Sequence, residues 1–309
     1  MKTPDVLVLG GGGTLGEAWM SAVLAGIDEG EEFDARGCRG YVGTSAGSIV
    51  AASLVAGLAP GIRLGRSSAP YEAPMEEYAK RAGPFRQGLS AAAGLAGSAA
   101  GPIASLAFAS TAAGGAVIRR TVLRNVRPGR RSLAELGRMV ERSGARWDGR
   151  LRIVAVQLET GRRVVFGASG APQLSVAAAV QASCAIPGVF RPVVAGGRSY
   201  VDGGVWSPTN IDAAEVTRGE HILCLNPTGS LRAGSGPLAN AIGPLSRAVA
   251  ATEALVSRNR GAIVSAINPD EASAAAMGPN LMDPRARDAV IDAGLAQGRR
   301  LLSRSRRAA

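Results

Sequence analysis

The chain has 309 residues, 46% apolar and 19% charged, a globular composition that excludes a disordered polypeptide and is long enough to bury a sizeable core. Three cysteines (Cys38, Cys184, Cys224) and a single histidine argue against a disulfide-built scaffold and leave no His/Cys set for zinc. The formal charge of +11 rests almost wholly on arginine, with Lys2 and Lys80 the only lysines; such a balance suits an anionic membrane surface or nucleic acid, and no aromatic-interleaved basic stretch supports the latter.

The opening residues MKTPDVLVLG do not read as a secretory signal, so a reducing cytoplasm is the expected compartment. Val6 to Leu9 is a short apolar run that stops at four glycines, as a buried parallel strand does. The segment after Gly16 carries helical spacing (Ala18, Val23, Ile27) and ends near Gly30. Tyr41-Val42 predicts a second strand, and Ala46 to Gly57 a small, apolar, buried helix. Residues 60–130 read as a variable insertion. Within it, 87–118 contain no charged side chain, and Arg119, Arg120, Arg124, Arg127, Arg130 and Arg131 follow closely.

Leu151 to Leu158 and Val164 to Phe166 predict a hairpin about Thr160-Gly161. A small-residue helix is expected over Ser175 to Ala185. Short strands at Val193-Val194 and Tyr200-Val201 flank a Gly196-Gly197 turn. Two more strands, His221 to Leu225 and Ile263 to Ile267, each close on Asn-Pro. A helix from about Arg285 to Leu302 precedes a basic tail, residues 303–309. Strands alternating with helices predict one α/β domain over 1–309, with a mostly parallel sheet covered on both faces.

Three glycine motifs follow predicted strands. Gly11-x-Gly13-x-x-Gly16 fits a dinucleotide-binding fingerprint, with Glu31, Glu32 and Asp34 near the offset of the ribose-binding acid. Those acids precede the second strand instead of closing it, which weakens the nucleotide reading. Gly43-Thr44-Ser45-Ala46-Gly47 is a G-x-S-x-G sequence, where a sharp strand-to-helix turn would lift a serine hydroxyl clear of the sheet. Asp202-Gly203-Gly204 closes a strand with a carboxylate left reachable. All three are expected on one rim of the sheet, at the carboxyl ends of strands. His221 opens its strand and so belongs to the opposite rim as a surface residue. The chemistry then reduces to a dyad, with Ser45 as nucleophile, Asp202 as base and the glycine-loop amides facing an oxyanion.

VLVLGGGGTLG, GTSAGS and YVDGG, in that order, resemble the patatin-like phospholipase family, as does the stretch 178–214 around Asp202. The resemblance implies a three-layer α/β/α sandwich, a Ser-Asp dyad of Ser45 and Asp202, and lipid acyl hydrolysis without metal or organic cofactor. It also implies an oxyanion loop of Gly11, Gly12 and Gly13, with Gly16, Gly43, Gly47, Gly203 and Gly204 as motif glycines. One position departs: Leu15 stands where the family usually has Arg or Lys, which motivates a second reading as a weakly active or inactive lipid-binding protein. A lipid or acyl-ester substrate is the expected partner. The uncharged run with its arginines is expected to act as a lid or interfacial element at an anionic membrane.

Overall fold

The computed structural model describes residues 1–65, 115–231 and 237–308. The uncharged run 87–118, except for its last four residues, and most of the expected 60–130 insertion lie outside the described residues. In chain order the elements are β1 (Val6–Leu9), α1 (Gly13–Asp28), β2 (Gly40–Thr44), α2 (Ala46–Val55), α3 (Gly115–Asn125), α4 (Ala134–Arg142), β3 (Leu151–Gln157) and β4 (Arg162–Phe166). Then come α5 (Val176–Ser183), β5 (Val193–Ala195), β6 (Arg198–Asp202), β7 (His221–Leu225), α6 (Pro237–Asn259), β8 (Ile263–Ile267), α7 (Glu271–Met277) and α8 (Arg287–Ala308).

Five strands run parallel in the order β3-β2-β1-β7-β8. Alternation along them divides the core in two. Leu7, Leu9, Tyr41, Ile153, Leu223 and Leu225 face α1, α2, α5 and α8 in the larger cluster. Val6, Val8, Val42, Val154, Ile222 and Cys224 face Ile211 and the small residues Ala250 and Ala254 of α6. The result is the three-layer α/β/α sandwich, with Trp19 wholly buried where α1 meets α8.

The antiparallel part of the sheet positions the site. Residues Ile153 to Gln157 of β3 pair with β4. β2 pairs with Leu151 to Val154 of β3, and β6 with Ala155 to Gln157. A strand has only two edges, and β4 fills one of them along its length. β2 and β6 therefore share the other, end to end. Thr44 sits opposite Val154, and Asp202 opposite Ala155, the next residue.

This arrangement corrects the sequence expectation of a common rim built from strands of one direction. β6 runs antiparallel to β3, so its carboxyl end meets the carboxyl end of β2 head to head. Two further differences concern helices. α6 spans 23 residues between two expected strands, and α8 continues to Ala308, so the predicted basic tail forms the last turns of a helix.

Candidate active site

Ser45 is the hinge between β2 and α2. Its backbone is left-handed (φ 49°, ψ −121°), a conformation a side-chain-bearing residue holds only under local constraint. Three constraints are visible. The Ser45 N–H donates to Ser183 Oγ at 2.8 Å, and Ser183 donates on to the Val154 carbonyl at 2.6 Å. Ser48 turns its hydroxyl back onto the Ser45 carbonyl at 2.6 Å. Gly47 lets the turn close: a Cβ there would lie 1.9 Å from the Leu9 carbonyl oxygen. Glycine is required at that position for packing, even though its φ is not positive.

The elbow delivers the Ser45 hydroxyl to Asp202, with Oγ donating to Oδ2 at 2.7 Å. The other carboxylate oxygen accepts the Gly204 N–H at 2.7 Å. Asp202 is only 6% exposed. Burial disfavours its charge and pushes the carboxyl up to about 7, with the Ser45 hydroxyl and Gly204 amide pulling the other way. A carboxylate with that affinity for protons is a far better base than one in water. Burial also drives the neighbouring Cys184 thiol upward, with Asp202 adding to the effect, so it stays protonated.

The glycine loop arches over this pair. A Cβ on Gly11 would fall 3.5 Å from Ser45 Cβ. The Gly11 N–H, however, donates to the Pro208 carbonyl at 2.8 Å, and the Gly10 N–H to Leu225 at 3.0 Å. Gly11 thus anchors the loop and is not an oxyanion donor, which corrects the sequence expectation. Among the described residues, the Gly12 and Gly13 amides donate to no protein acceptor. They stand at the start of α1, the next residues after Gly11, as Ser45 stands at the start of α2. The field at a helix N-terminus favours negative charge.

Gly43, Gly203 and Gly16 serve close packing: added Cβ atoms would meet Ser48 Cα at 2.5 Å, the Val154 carbonyl at 2.3 Å and Pro227 Cβ at 3.1 Å. Leu15 is wholly buried and its amide donates to the Leu281 carbonyl at 3.0 Å, so this position faces the core. His221 opens β7 on the far rim and pairs with Ser265 through Nε2 at 3.0 Å, away from the dyad as expected. Among the described residues no cluster of side chains could hold a metal ion.

A nucleophile elbow, a buried carboxylate on its hydroxyl and free amides at a helix N-terminus together suit acyl transfer. The model of the family described as patatin-like phospholipase matches residues 7–215, well over half of the chain. The chain belongs to the patatin-like phospholipase family. Lipid acyl hydrolysis is the general activity of that family, and the matched stretch carries both Ser45 and Asp202. Among solved structures, VipD from Legionella pneumophila aligns with 97% of this patatin-like chain and 67% of its own, at 16% identity and a TM-score of 0.41. No curated protein matches the chain.

Several residues of the site escaped sequence reading. Ser183 lies at the end of α5, in the run QASCAIPG, where no local pattern marks the serine. Asn210, with left-handed φ 55°, donates to Thr44 Oγ1 at 3.1 Å and accepts from Arg163, itself paired with Asp212. An Asn in a left-handed turn is a recognisable local signal, but its contact 166 residues away is not.

Proposed function

We propose that the protein is a serine hydrolase of lipid acyl esters, of phospholipase or lysophospholipase type, working through a Ser45–Asp202 dyad. The observation that carries this is the 2.7 Å hydrogen bond from Ser45 Oγ to a carboxylate made basic by burial. Ser45 Oγ attacks the ester carbonyl while its proton passes to Asp202 Oδ2. The oxyanion gathers charge beneath the Gly12 and Gly13 amides. Collapse expels the alcohol, which takes the proton back from Asp202. Water then attacks the acyl-enzyme, Asp202 again accepts a proton, and the fatty acid leaves as Ser45 recovers it.

The test is hydrolysis of a short p-nitrophenyl ester and labelling by a fluorophosphonate probe. Ser45→Ala should lose both, and Asp202→Asn should lose hydrolysis, while His221→Gln keeps the wild-type rate. Retention of most activity in either dyad variant would refute the mechanism. A fold retained for lipid binding alone predicts no labelling of the wild type.

Arg119 is buried, donating to the Gly161 carbonyl at 3.0 Å and lying over Trp206, so it leaves the expected basic cluster. The exposed Arg120, Arg124, Arg127 and Arg130 and the uncharged run 87–118 of the sequence support peripheral contact with anionic lipid at the inner face of a membrane. Sedimentation with anionic liposomes should weaken when 87–118 are deleted and the arginines neutralised; undiminished binding would exclude this contact.

A further inference from the structure

Outside the dyad, the molecule buries another carboxyl group that the mechanism leaves unused. Glu253 lies within α6, on the opposite face of the sheet from α1 and α2, and is 9% exposed. Its Oε2 accepts from Thr209 Oγ1 at 2.6 Å and from the Ile211 N–H at 3.0 Å. Two donors from one five-residue segment, 207–211, converge on a single carboxylate oxygen. A buried acid is costly, and burial together with the charge of nearby Asp212 pushes its proton affinity up.

That segment touches both arms of the site. Its Pro208 carbonyl takes the Gly11 N–H at 2.8 Å, which fixes how the glycine loop crosses Ser45. Its Asn210 donates to Thr44 Oγ1 at 3.1 Å, and Thr44 is the residue before the nucleophile. The Ser207 carbonyl accepts from Asn210 Nδ2 at 2.8 Å, so the segment is also braced within itself.

We propose that Glu253 is a positioning residue of the acyl-transfer site, acting through segment 207–211 and the Pro208 carbonyl to aim the Gly12 and Gly13 amides at the oxyanion. The proposal rests on the hydrolase reading above. Oε2 suits the task because one oxygen takes both donors at once, and the amide oxygen of a glutamine offers the same two lone pairs. Removing it frees the segment, and with it the anchor of Gly11, without touching Ser45, Asp202 or the ester. The effect therefore falls on the transition state, where the amides do their work, and not on ground-state binding.

The experiment measures kcat and KM on a short p-nitrophenyl ester, the rate of fluorophosphonate labelling, and the thermal midpoint of the full-length chain. Glu253→Ala should lower kcat and the labelling rate by about 10- to 100-fold with KM within about twofold, a fraction of the cost of deleting an oxyanion donor outright. Glu253→Gln, which keeps an acceptor, should recover part of the loss. Should Glu253→Ala fail to fold, Glu253→Gln and Thr209→Val carry the same test, each lowering kcat and not raising KM. Unchanged kcat and labelling in folded variants overturn the proposal, as does a rise in KM alone or a fall in thermal midpoint alone. A wild-type protein that the probe does not label overturns instead the hydrolase reading, so the two failures are told apart.

Discussion

Asp202 carries two opposed demands. As the proposed base it must lose its proton, and burial resists that up to about pH 7. Hydrolysis should therefore rise through a single ionisation near pH 7 and then level off, with the limb read from kcat against pH on a soluble ester. The same burial has a cost in stability. The folded carboxyl holds its proton above the ordinary 3.8, so between about pH 4 and 7 the unfolded chain binds fewer protons and stability falls as pH rises. Asp202→Asn escapes this, so its gain in thermal midpoint over wild type should widen across that window; a constant difference would exclude a raised carboxyl. Ser183 acts from behind. Ser183→Ala leaves the Ser45 N–H without its acceptor, and the strained elbow should relax with a loss of about tenfold or more in kcat, measured on the same ester. Ser45 and Asp202 could be found in the sequence because each sits in a glycine motif whose local geometry is dictated by sterics. Ser183 and Glu253 could not: each is an ordinary residue of a helix, and its meaning comes from a partner far along the chain.

At the scale of elements, the decisive feature is the end-to-end placement of β2 and β6 on one edge of β3. Sequence patterning found both strands but gave no direction for β6, because period-two alternation reads the same in either sense. The carboxyl ends meet only because β3 is long enough to pair with β2 over its first half and with β6 over its second. The turn into α2 is equally exacting. Gly47→Ala would drive a methyl group to 1.9 Å from the Leu9 carbonyl, so β1 and α2 must separate. Loss of soluble, cooperatively melting protein is the expected outcome; a Gly47→Ala variant with wild-type melting and labelling would show that the approach is not required. α6 went unpredicted for a physical reason. Its face on the sheet is built of Ala250 and Ala254, which carry almost no hydrophobic signal, and Pro244 interrupts the pattern near its start. The last helix was cut short because its final turns are arginine-rich and offer no apolar period.

At the scale of the whole molecule, the two faces of the sheet do different work. The larger core, under α1, α2 and α8, carries most of the buried apolar surface. At its margin Glu17 accepts from Arg63 at 2.5 Å and from Arg287 at 3.2 Å, joining α1 to the start of α8 and to the turn after α2. Glu17 is 7% exposed, so Glu17→Ala leaves two guanidinium groups partly buried and uncompensated. We expect a loss of about 3 kcal/mol in denaturant unfolding with the dyad's chemistry intact. The smaller face, under α6, anchors the loops that reach the site. The head-to-head strands also govern when the chain becomes reactive. Ser45, the proposed nucleophile, is synthesised 157 residues before Asp202, its proposed base, and the two are joined only once β3 has docked to β2 and β6 has returned. On the proposed mechanism, a nascent polypeptide that has folded its amino-terminal third presents an unarmed hydroxyl, and the onset of hydrolysis during refolding should mark completion of the sheet instead of its collapse.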